Sequence, residues 1–170
     1  MPAGLTPSVL TFNPLLDGLH VNGNNAEAEA LLGEASQRGV YGTPTQYTVH
    51  LASLDIQGMS RGAAITALRV WLRGLCDRAV DGEQLPGMLQ VTGLAAVRHG
   101  SPSREQQLQQ GVEGLLVELG SPFTVLPEGG VRIFRAETTP EVYTWLRDLK
   151  SHYSPISTAP NDLLADTRNA

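Results

Sequence analysis

The fold is decided by residues 51–60, which read LASLDIQGMS. An apolar strand pattern leads into the polar turn Asp55–Ser60, and Ser60 is placed to N-cap the helix that follows. A second turn, Thr92–Ala95, follows the next predicted strand. Turns at the carboxyl ends of neighbouring strands in an α/β layer open on the same sheet edge, where ligands usually bind. We therefore expect the two turns to form one site.

Outward from this stretch, residues 49–136 predict a two-layer α/β domain with the order βαβαββ. Strands are indicated by short β-rich runs between turn residues, and helices by apolar residues three and four positions apart. The predicted elements are a strand over 49–56, a helix after Ser60, a strand over 88–92, a helix after a Ser103–Gln106 capping box, and strands over 123–126 and 131–136. A last helix is predicted over 139–152, and residues 153–170 are expected to form a disordered tail.

Residues 9–43 predict a helical hairpin ahead of that domain, joined to it by a linker over 41–45. Phe12 and Leu16 lie four positions apart on one helix face. Pro14 is expected in the first turn, where its missing N–H costs nothing. A single hairpin cannot bury its own apolar face. We therefore expect either further repeats upstream or docking of the hairpin on the domain that follows.

Composition places the chain among globular proteins and excludes several function classes. Of 170 residues, 41% are hydrophobic, and no apolar run approaches the roughly 20 residues that span a bilayer, so a membrane partner is not expected. No targeting segment is recognised at the N-terminus of this chain. The net charge of −5 does not favour nucleic acid for the whole chain, although charges balance over residues 51–135. The lone cysteine, Cys76, is expected in the core, and neither a disulfide nor a zinc cluster is indicated.

Two segments resemble known families. Residues 9–43, above all TFNPLLDGL at 11–19, resemble a pentatricopeptide repeat, and residues 51–135 resemble the Smr (small MutS-related) domain. The second resemblance depends on LDIQGMS at 54–60 and VTG at 91–93. A repeat followed by an Smr domain is typical of organellar proteins of plants and green algae. The resemblance implies repeats that bind single-stranded RNA and an Smr domain that binds, and in some members cleaves, nucleic acid.

In the repeat, the resemblance places Asn13 and Thr43 at the two base-reading positions. An asparagine amide offers a donor and an acceptor to a base edge, and this pair would favour a pyrimidine. Asn13 directly precedes Pro14, however, and an asparagine in that place is also a good N-cap. Base reading and capping are both open at this point.

In the Smr-like domain, Asp55 matches the acid of the family's Leu-Asp-x-His motif. The resemblance implies that its carboxylate would bind a divalent metal such as Mg²⁺ or orient a water for attack on phosphate. Gln57 replaces the histidine and cannot titrate near neutrality, so it can only position a ligand. Ala95 replaces the second glycine after Thr92-Gly93, which hinders the approach of backbone N–H groups to a phosphate. Asp55 is also well suited to close an Asx turn without any ligand.

A third group of candidates follows in a polar loop. Arg98, His99 and Arg104 lie just before a predicted helix, where two guanidinium groups, an imidazole and free helix N–H groups would contact phosphate. The alternative is a solvated polar loop. The candidate nucleic-acid-binding residues are thus Asn13, Thr43, Gln57, Thr92, Gly93, Arg98, His99 and Arg104.

Three functions are open from the sequence. The first is an RNA-binding protein of organellar gene expression that works with protein partners in RNA processing, stability or translation, in the chloroplast or alternatively the mitochondrion. The second is a metal-dependent endoribonuclease that uses Asp55, for which Gln57 and Ala95 are unfavourable. The third is a protein-interaction module without RNA contact, in keeping with the net negative charge.

Overall fold

The fold is known from a computed structural model that describes residues 8–95, 104–128 and 131–152. Its helices are α1 (Val9–Val21), α2 (Asn25–Gln37), α3 (Arg61–Val80), α4 (Arg104–Glu118) and α5 (Pro140–His152). Its strands are β1 (Thr45–Tyr47), β2 (Leu51–Asp55), β3 (Met88–Ala95), β4 (Thr124–Glu128) and β5 (Val131–Glu137). The predicted α/β class is confirmed, because two helices lead into a mixed sheet interleaved with helices and a further helix follows the last strand.

One sheet of five strands carries the fold, in the order β1-β2-β3-β5-β4. β2 and β3 are parallel, and the other neighbouring pairs are antiparallel. The parallel register sets Asp55 opposite Thr92, so the carboxyl end of β2 lies beside β3 at that residue. The turn that begins at Asp55 therefore opens beside Thr92 at one edge of the sheet. The prediction of a second turn over Thr92–Ala95 was wrong, because these residues continue β3 and only a shift in register between Val91 and Leu94 interrupts it.

The sheet has one strand more than predicted. Thr45–Tyr47, which begins where the segment interpreted as a linker ends, forms β1 and pairs with β2. All three side chains of β1 are exposed, so no apolar alternation marks this strand in the sequence. β2 begins at Leu51 rather than at Val49, whose side chain is 83% exposed.

The helices cover one face of the sheet. Leu54, Leu89 and Val91 belong to the same buried core as the apolar side of α3, which packs on α1, α2, α4 and α5. Alternate residues point to the other face, which carries both apolar residues, such as Ile133, and polar ones. There, Arg135 donates from Nε and Nη2 to Gln90 Oε1 at 3.0 and 2.9 Å. The sheet therefore has one face covered by the helices and a second face on which this polar pair lies.

The helical hairpin docks on α3. Phe12 and Leu16 of α1 and Leu32 of α2 share one continuous core with the sheet. Arg73 of α3 also forms an ion pair with Glu29 of α2. Of the two expectations for the hairpin, docking on the following domain is therefore observed. Burial of these apolar faces is the largest favourable contribution to that docking.

The place of Pro14 in α1 differs from the prediction. Ser8 is the N-cap, its Oγ accepts from the Leu10 N–H at 3.3 Å, and the helix runs through Pro14. The expectation that Pro14 lies in the first turn was therefore wrong, and of the two alternatives for Asn13, capping is excluded. A capping box between Ser8 and Thr11 begins the helix more than one turn earlier. The Asn13 side chain is consequently available for contacts elsewhere.

Two expectations from composition can be compared with the structure. Cys76 is fully buried in α3, as predicted, and burial raises the pKa of its thiol to about 12. No helix in the described part of the chain is long and apolar enough to cross a membrane. Ser103 of the predicted capping box and the predicted tail over 153–170 lie outside the described residues.

Candidate nucleic-acid interface

The end of β2 and the middle of β3 form a single polar edge. Asp55 lies opposite Thr92, and the N–H of Ile56 donates to the carbonyl oxygen of Thr92 at 2.9 Å. Strand pairing thus continues one residue past β2 and joins its turn to β3. We call the surface formed by residues 55–60 and 92–93 the rim.

Gly93 sets the distance between β3 and the turn that follows β2. Its φ of +96° lies in the region that favours glycine. A Cβ at this position would lie 2.4 Å from the Gln57 nitrogen and 2.5 Å from Asp55 Oδ1, closer than these atoms can approach. An irregular register between Val91 and Leu94 marks a β-bulge at this point. Asp55, Gln57 and Gly93, although separated in sequence, therefore lie in direct contact.

Asp55 and Gln57 form an exposed turn. Asp55 Oδ1 accepts from the Gln57 N–H at 3.0 Å, which is the Asx turn considered as the alternative to ligand binding. This bond uses one of the two oxygens that a carboxylate offers. Both side chains are exposed. The turn therefore presents an acid and an amide to solvent from a backbone with a defined shape.

A divalent metal at the rim would need oxygens from a ligand. Within residues 8–95, 104–128 and 131–152, no group of three or more His, Cys, Asp or Glu side chains could hold a metal ion. Mg²⁺ is commonly bound through one or two carboxylates together with substrate phosphates and waters. Asp55 fits that pattern as a single carboxylate ligand, with a phosphate completing the site.

Asn13 of α1 contacts the rim directly. Its Nδ2 donates to the carbonyl oxygen of Gly58 at 3.0 Å, across 45 residues of sequence. Its Oδ1 accepts from the Ser60 N–H at 3.1 Å and from Tyr41 Oη at 2.6 Å. Both lone pairs of the amide oxygen are thereby used, which leaves one Nδ2 hydrogen for a base. Base reading by Asn13 stays a prediction, restricted to that donor.

Asp17, one turn further along α1, holds the start of α3. Its Oδ1 accepts from the Gly62 N–H at 2.7 Å, which is one of the helix N-terminal donors. A Cβ at Gly62 would lie 2.7 Å from the Asp17 Cα, so the two helices approach through their backbones. This contact was not predicted from the sequence. The sequence feature that could have indicated this contact is an acidic residue four positions after Asn13, on the same helix face.

Thr43 lies beside the rim. The carbonyl oxygen of the next residue, Pro44, accepts from the Asp55 N–H at 2.7 Å, and β1 then runs antiparallel along β2. The Thr43 side chain is exposed. The structure thus brings both predicted base-reading positions, Asn13 and Thr43, to the same edge as Asp55.

Two titratable side chains lie behind the rim. Burial, aided by a nearby carboxylate, raises the pKa of Tyr41 to about 12, so its phenol stays a hydrogen-bond donor to Asn13 at neutral pH. Burial, followed by the positive charges of Arg69 and Arg61, lowers the pKa of His20 below its usual 6.5. His20 is therefore mainly neutral at pH values near 7.

Arg61 is an exposed cation next to the rim that was not singled out from the sequence. It is the first residue of α3, and its side chain lies over α4, where a Cβ at Gly111 would be 2.9 Å from the Arg61 Cγ. The sequence feature that could have indicated Arg61 is its position directly after the N-cap of α3. The predicted cations Arg98 and His99 lie outside the described residues, as does the side chain of Arg104.

Comparison with known proteins points to one group of relatives. No protein-family profile matches the chain. A chloroplast pentatricopeptide repeat-containing protein of Arabidopsis thaliana is 30% identical over 125 residues, which are 72% of this chain and 14% of the relative. The chloroplast pentatricopeptide repeat-containing protein ATP4 of Zea mays is 34% identical over 117 residues, 68% of this chain and 16% of the relative. Another A. thaliana protein of this name is 29% identical over 147 residues, 86% of this chain and 19% of the relative.

These matches are long compared with the chain and short compared with the relatives. The chain spans less than a fifth of the length of the curated relatives it matches. A match of 125 or 147 residues within 170 necessarily includes both parts of the rim. Over most of its length, the chain is thus a distant homologue of the chloroplast pentatricopeptide repeat-containing proteins of plants.

Proposed function

We propose that the chain binds single-stranded RNA in organellar gene expression, with the rim as its contact surface and residues 49–136 as an Smr-like domain. The observation that carries the proposal is the meeting of the turn over 55–60, Thr92 and Gly93 of β3, Asn13 and Thr43 at one sheet edge. Open α/β sheets bind their ligands at such an edge. The exposed amide of Gln57 and the hydroxyls of Thr92 and Thr43 suit the polar edges of unstacked bases.

The relatives support the general role and its location. The three described above are named as chloroplast proteins with pentatricopeptide repeats, which favours an organellar RNA-binding role and the chloroplast over the mitochondrion. Because the chain spans a small part of each relative, the RNA target and any protein partners in a gene-expression complex would be set by a longer protein.

Phosphate contacts would come from cations around the rim. Arg61 supplies a guanidinium, which binds phosphate with bidentate geometry. Arg98, His99 and Arg104, in the segment that leads into α4, are proposed as further phosphate contacts. The Asp55 carboxylate repels phosphate unless a divalent cation such as Mg²⁺ lies between the two groups.

The salt dependence of RNA affinity tests this function. Loss of one phosphate contact reduces the slope of log affinity against log salt by about 0.7 for single strands. Arg61→Ala is expected to flatten the slope by about that amount and to lower the affinity for all RNA sequences alike. Both effects are measured by fluorescence anisotropy of a labelled oligonucleotide. Arg78→Ala is the matched control, because Arg78 is an exposed residue in the last turn of the same helix. An affinity independent of salt, or none, would favour a protein-interaction module.

A second candidate function is metal-dependent RNA cleavage, which the exposed carboxylate of Asp55 at the rim favours. A divalent cation held there would supply an activated water for attack on the phosphodiester. Asp55→Asn keeps an oxygen that accepts from the Gln57 N–H, so cleavage should be lost while the turn and RNA binding survive. Cleavage that persists in this variant would remove Asp55 as the catalyst. A gain of cleavage in Gln57→His would indicate that the rim retains the geometry for the reaction.

A further inference from the structure

We propose that Asn13 is a positioning residue, which from α1 holds the turn over 55–60 in the shape that RNA contact requires, rather than reading a base itself. The proposal rests on the RNA-binding function proposed for the rim. It gives the helical hairpin a structural role in that site, so that hairpin and sheet act as one RNA-binding unit.

The hydrogen bonds of Asn13 hold the turn at two points. Nδ2 donates to the Gly58 carbonyl oxygen at 3.0 Å, and Oδ1 accepts from the Ser60 N–H at 3.1 Å, so one amide bridges two backbone groups of the same turn. In return, Ser60 Oγ donates to the Asn13 carbonyl oxygen at 3.3 Å. A carboxamide presents a donor and an acceptor side by side, as this pairing requires.

Two neighbours fix the position of Asn13. Tyr41 Oη donates to its Oδ1 at 2.6 Å. Asp17 accepts from the Gly62 N–H at 2.7 Å, which fixes α1 against the first turn of α3. Residues four positions apart on α1 therefore contact the rim turn and the helix that follows it. The amide is in place before any ligand binds.

The turn is thus supported from two sides. On the sheet side, Gly93 lies against its first half, in contact with Asp55 and Gln57. On the helix side, Asn13 holds its second half. A turn that is ordered before binding avoids the entropic cost of ordering it on binding. Loss of Asn13 is therefore expected to weaken RNA binding whatever the RNA sequence.

Amide hydrogen exchange tests the hold on the turn without RNA. In Asn13→Ala, residues 56–60 are expected to exchange at least about tenfold faster than in the wild type, while the central strands are unchanged. Thr43→Ala is the matched control, because Thr43 is exposed beside the same rim. Asn13→Asp keeps the acceptor for Ser60 and Tyr41, so its Ser60 amide should exchange more slowly than in Asn13→Ala. Equal exchange in the wild type and Asn13→Ala would overturn the proposal.

RNA affinity separates positioning from base reading. If Asn13 positions the turn, Asn13→Ala should lower the affinity for uridine, adenosine and cytidine homopolymers by the same factor, about tenfold. A changed preference among the three, with unaltered exchange of the turn, would show base reading and contradict positioning. If the wild type binds none of them, the proposed RNA function fails, while the exchange experiment still decides whether Asn13 holds the turn. Should Asn13→Ala not fold, Tyr41→Phe removes a bond to the same oxygen and is expected to act in the same direction.

Discussion

The rim and the outer edge of the sheet at β4 are built in different ways. At the rim, backbone groups are held by polar side chains from a distant part of the chain, as Asn13 holds Gly58 across 45 residues. At β4, an apolar groove of about 580 Å³ runs against α4, lined among others by Val117 and Phe123, and Val117 is 79% exposed. The groove offers volume, whereas the rim offers donors and acceptors in fixed directions. Recognition of unstacked bases needs the second property, so the volume of this groove is a poor guide to function.

The largest difference between the two regions is expected when one glycine in each is replaced by alanine. Gly93→Ala places a Cβ 2.4 Å from the Gln57 nitrogen, so the rim must open. We expect RNA affinity to fall at least about tenfold and the free energy of unfolding to fall by about 1–3 kcal/mol. Urea denaturation and fluorescence anisotropy measure the two effects.

Gly114→Ala, on the groove side, is the control for that experiment. A Cβ there meets nothing within 4 Å, and alanine in a helix interior is more stable than glycine by about 0.5–1 kcal/mol. RNA affinity should stay unchanged. Equal losses in both variants would mean that the rim is no more sensitive than the groove.

The contact between α1 and α3 behind the rim should give a smaller effect. Gly62→Ala directs a Cβ to within 2.7 Å of the Asp17 Cα, and overpacking of this kind costs about 1–3 kcal/mol in the free energy of unfolding. Gly74→Ala in the same helix meets nothing within 4 Å and should be neutral or stabilising. If urea denaturation gives the same free energy of unfolding for Gly62→Ala and Gly74→Ala, the hairpin does not pack on α3 as described.

The charge of Asp17 is expected to contribute to the same contact. Asp17→Asn keeps an acceptor for the Gly62 N–H but removes a negative charge from the N-terminus of α3, which is worth about 0.3–1 kcal/mol. Asp148→Asn, at an exposed position of α5, is the control. The difference between the two should shrink as salt is raised from about 0.1 to 1 M, because salt screens the helix dipole. A difference that does not respond to salt would indicate a packing effect instead.

The smallest expected effect concerns pH. Burial and then Arg69 and Arg61 lower the pKa of His20 below 6.5, against the opposite influence of Asp17. The unfolded chain therefore takes up the proton more readily than the folded chain, so stability falls as the pH drops below 6.5 and through the folded pKa. In His20→Asn, the free energy of unfolding should change less between about pH 7 and 5 than in the wild type. An equal or steeper change in the variant, measured by urea denaturation at each pH, would contradict this assignment.

Local patterns were enough to predict the elements that bury an apolar face. α3 follows its predicted apolar stripe, and Ser60 Oγ accepts from the Ala63 N–H at 3.4 Å as its N-cap. The exposed strand Thr45–Tyr47 was missed because its side chains are exposed and show no apolar alternation. The place of Pro14 was wrong because the capping box at Ser8 begins the helix upstream of the proline.

Some features of the candidate site were likewise predicted from the sequence, and others were not. Asp55 and Thr92 were expected to lie together from the rule for parallel strands, and they are paired in register. The contacts of Asn13 with Gly58 and of Asp17 with Gly62 depend on how the hairpin docks on α3. No local pattern contains that docking geometry, since it results from packing between residues that are distant in sequence.

The central claim, that the rim is the RNA-contact surface, is tested most directly by titrating the isotope-labelled chain with single-stranded RNA and following its amide chemical shifts. We expect the largest changes at residues 55–60 and 92–93, and none at Val117 and Val125 in the groove. Changes that cluster at the groove, or a spectrum that does not respond to RNA, would contradict the claim.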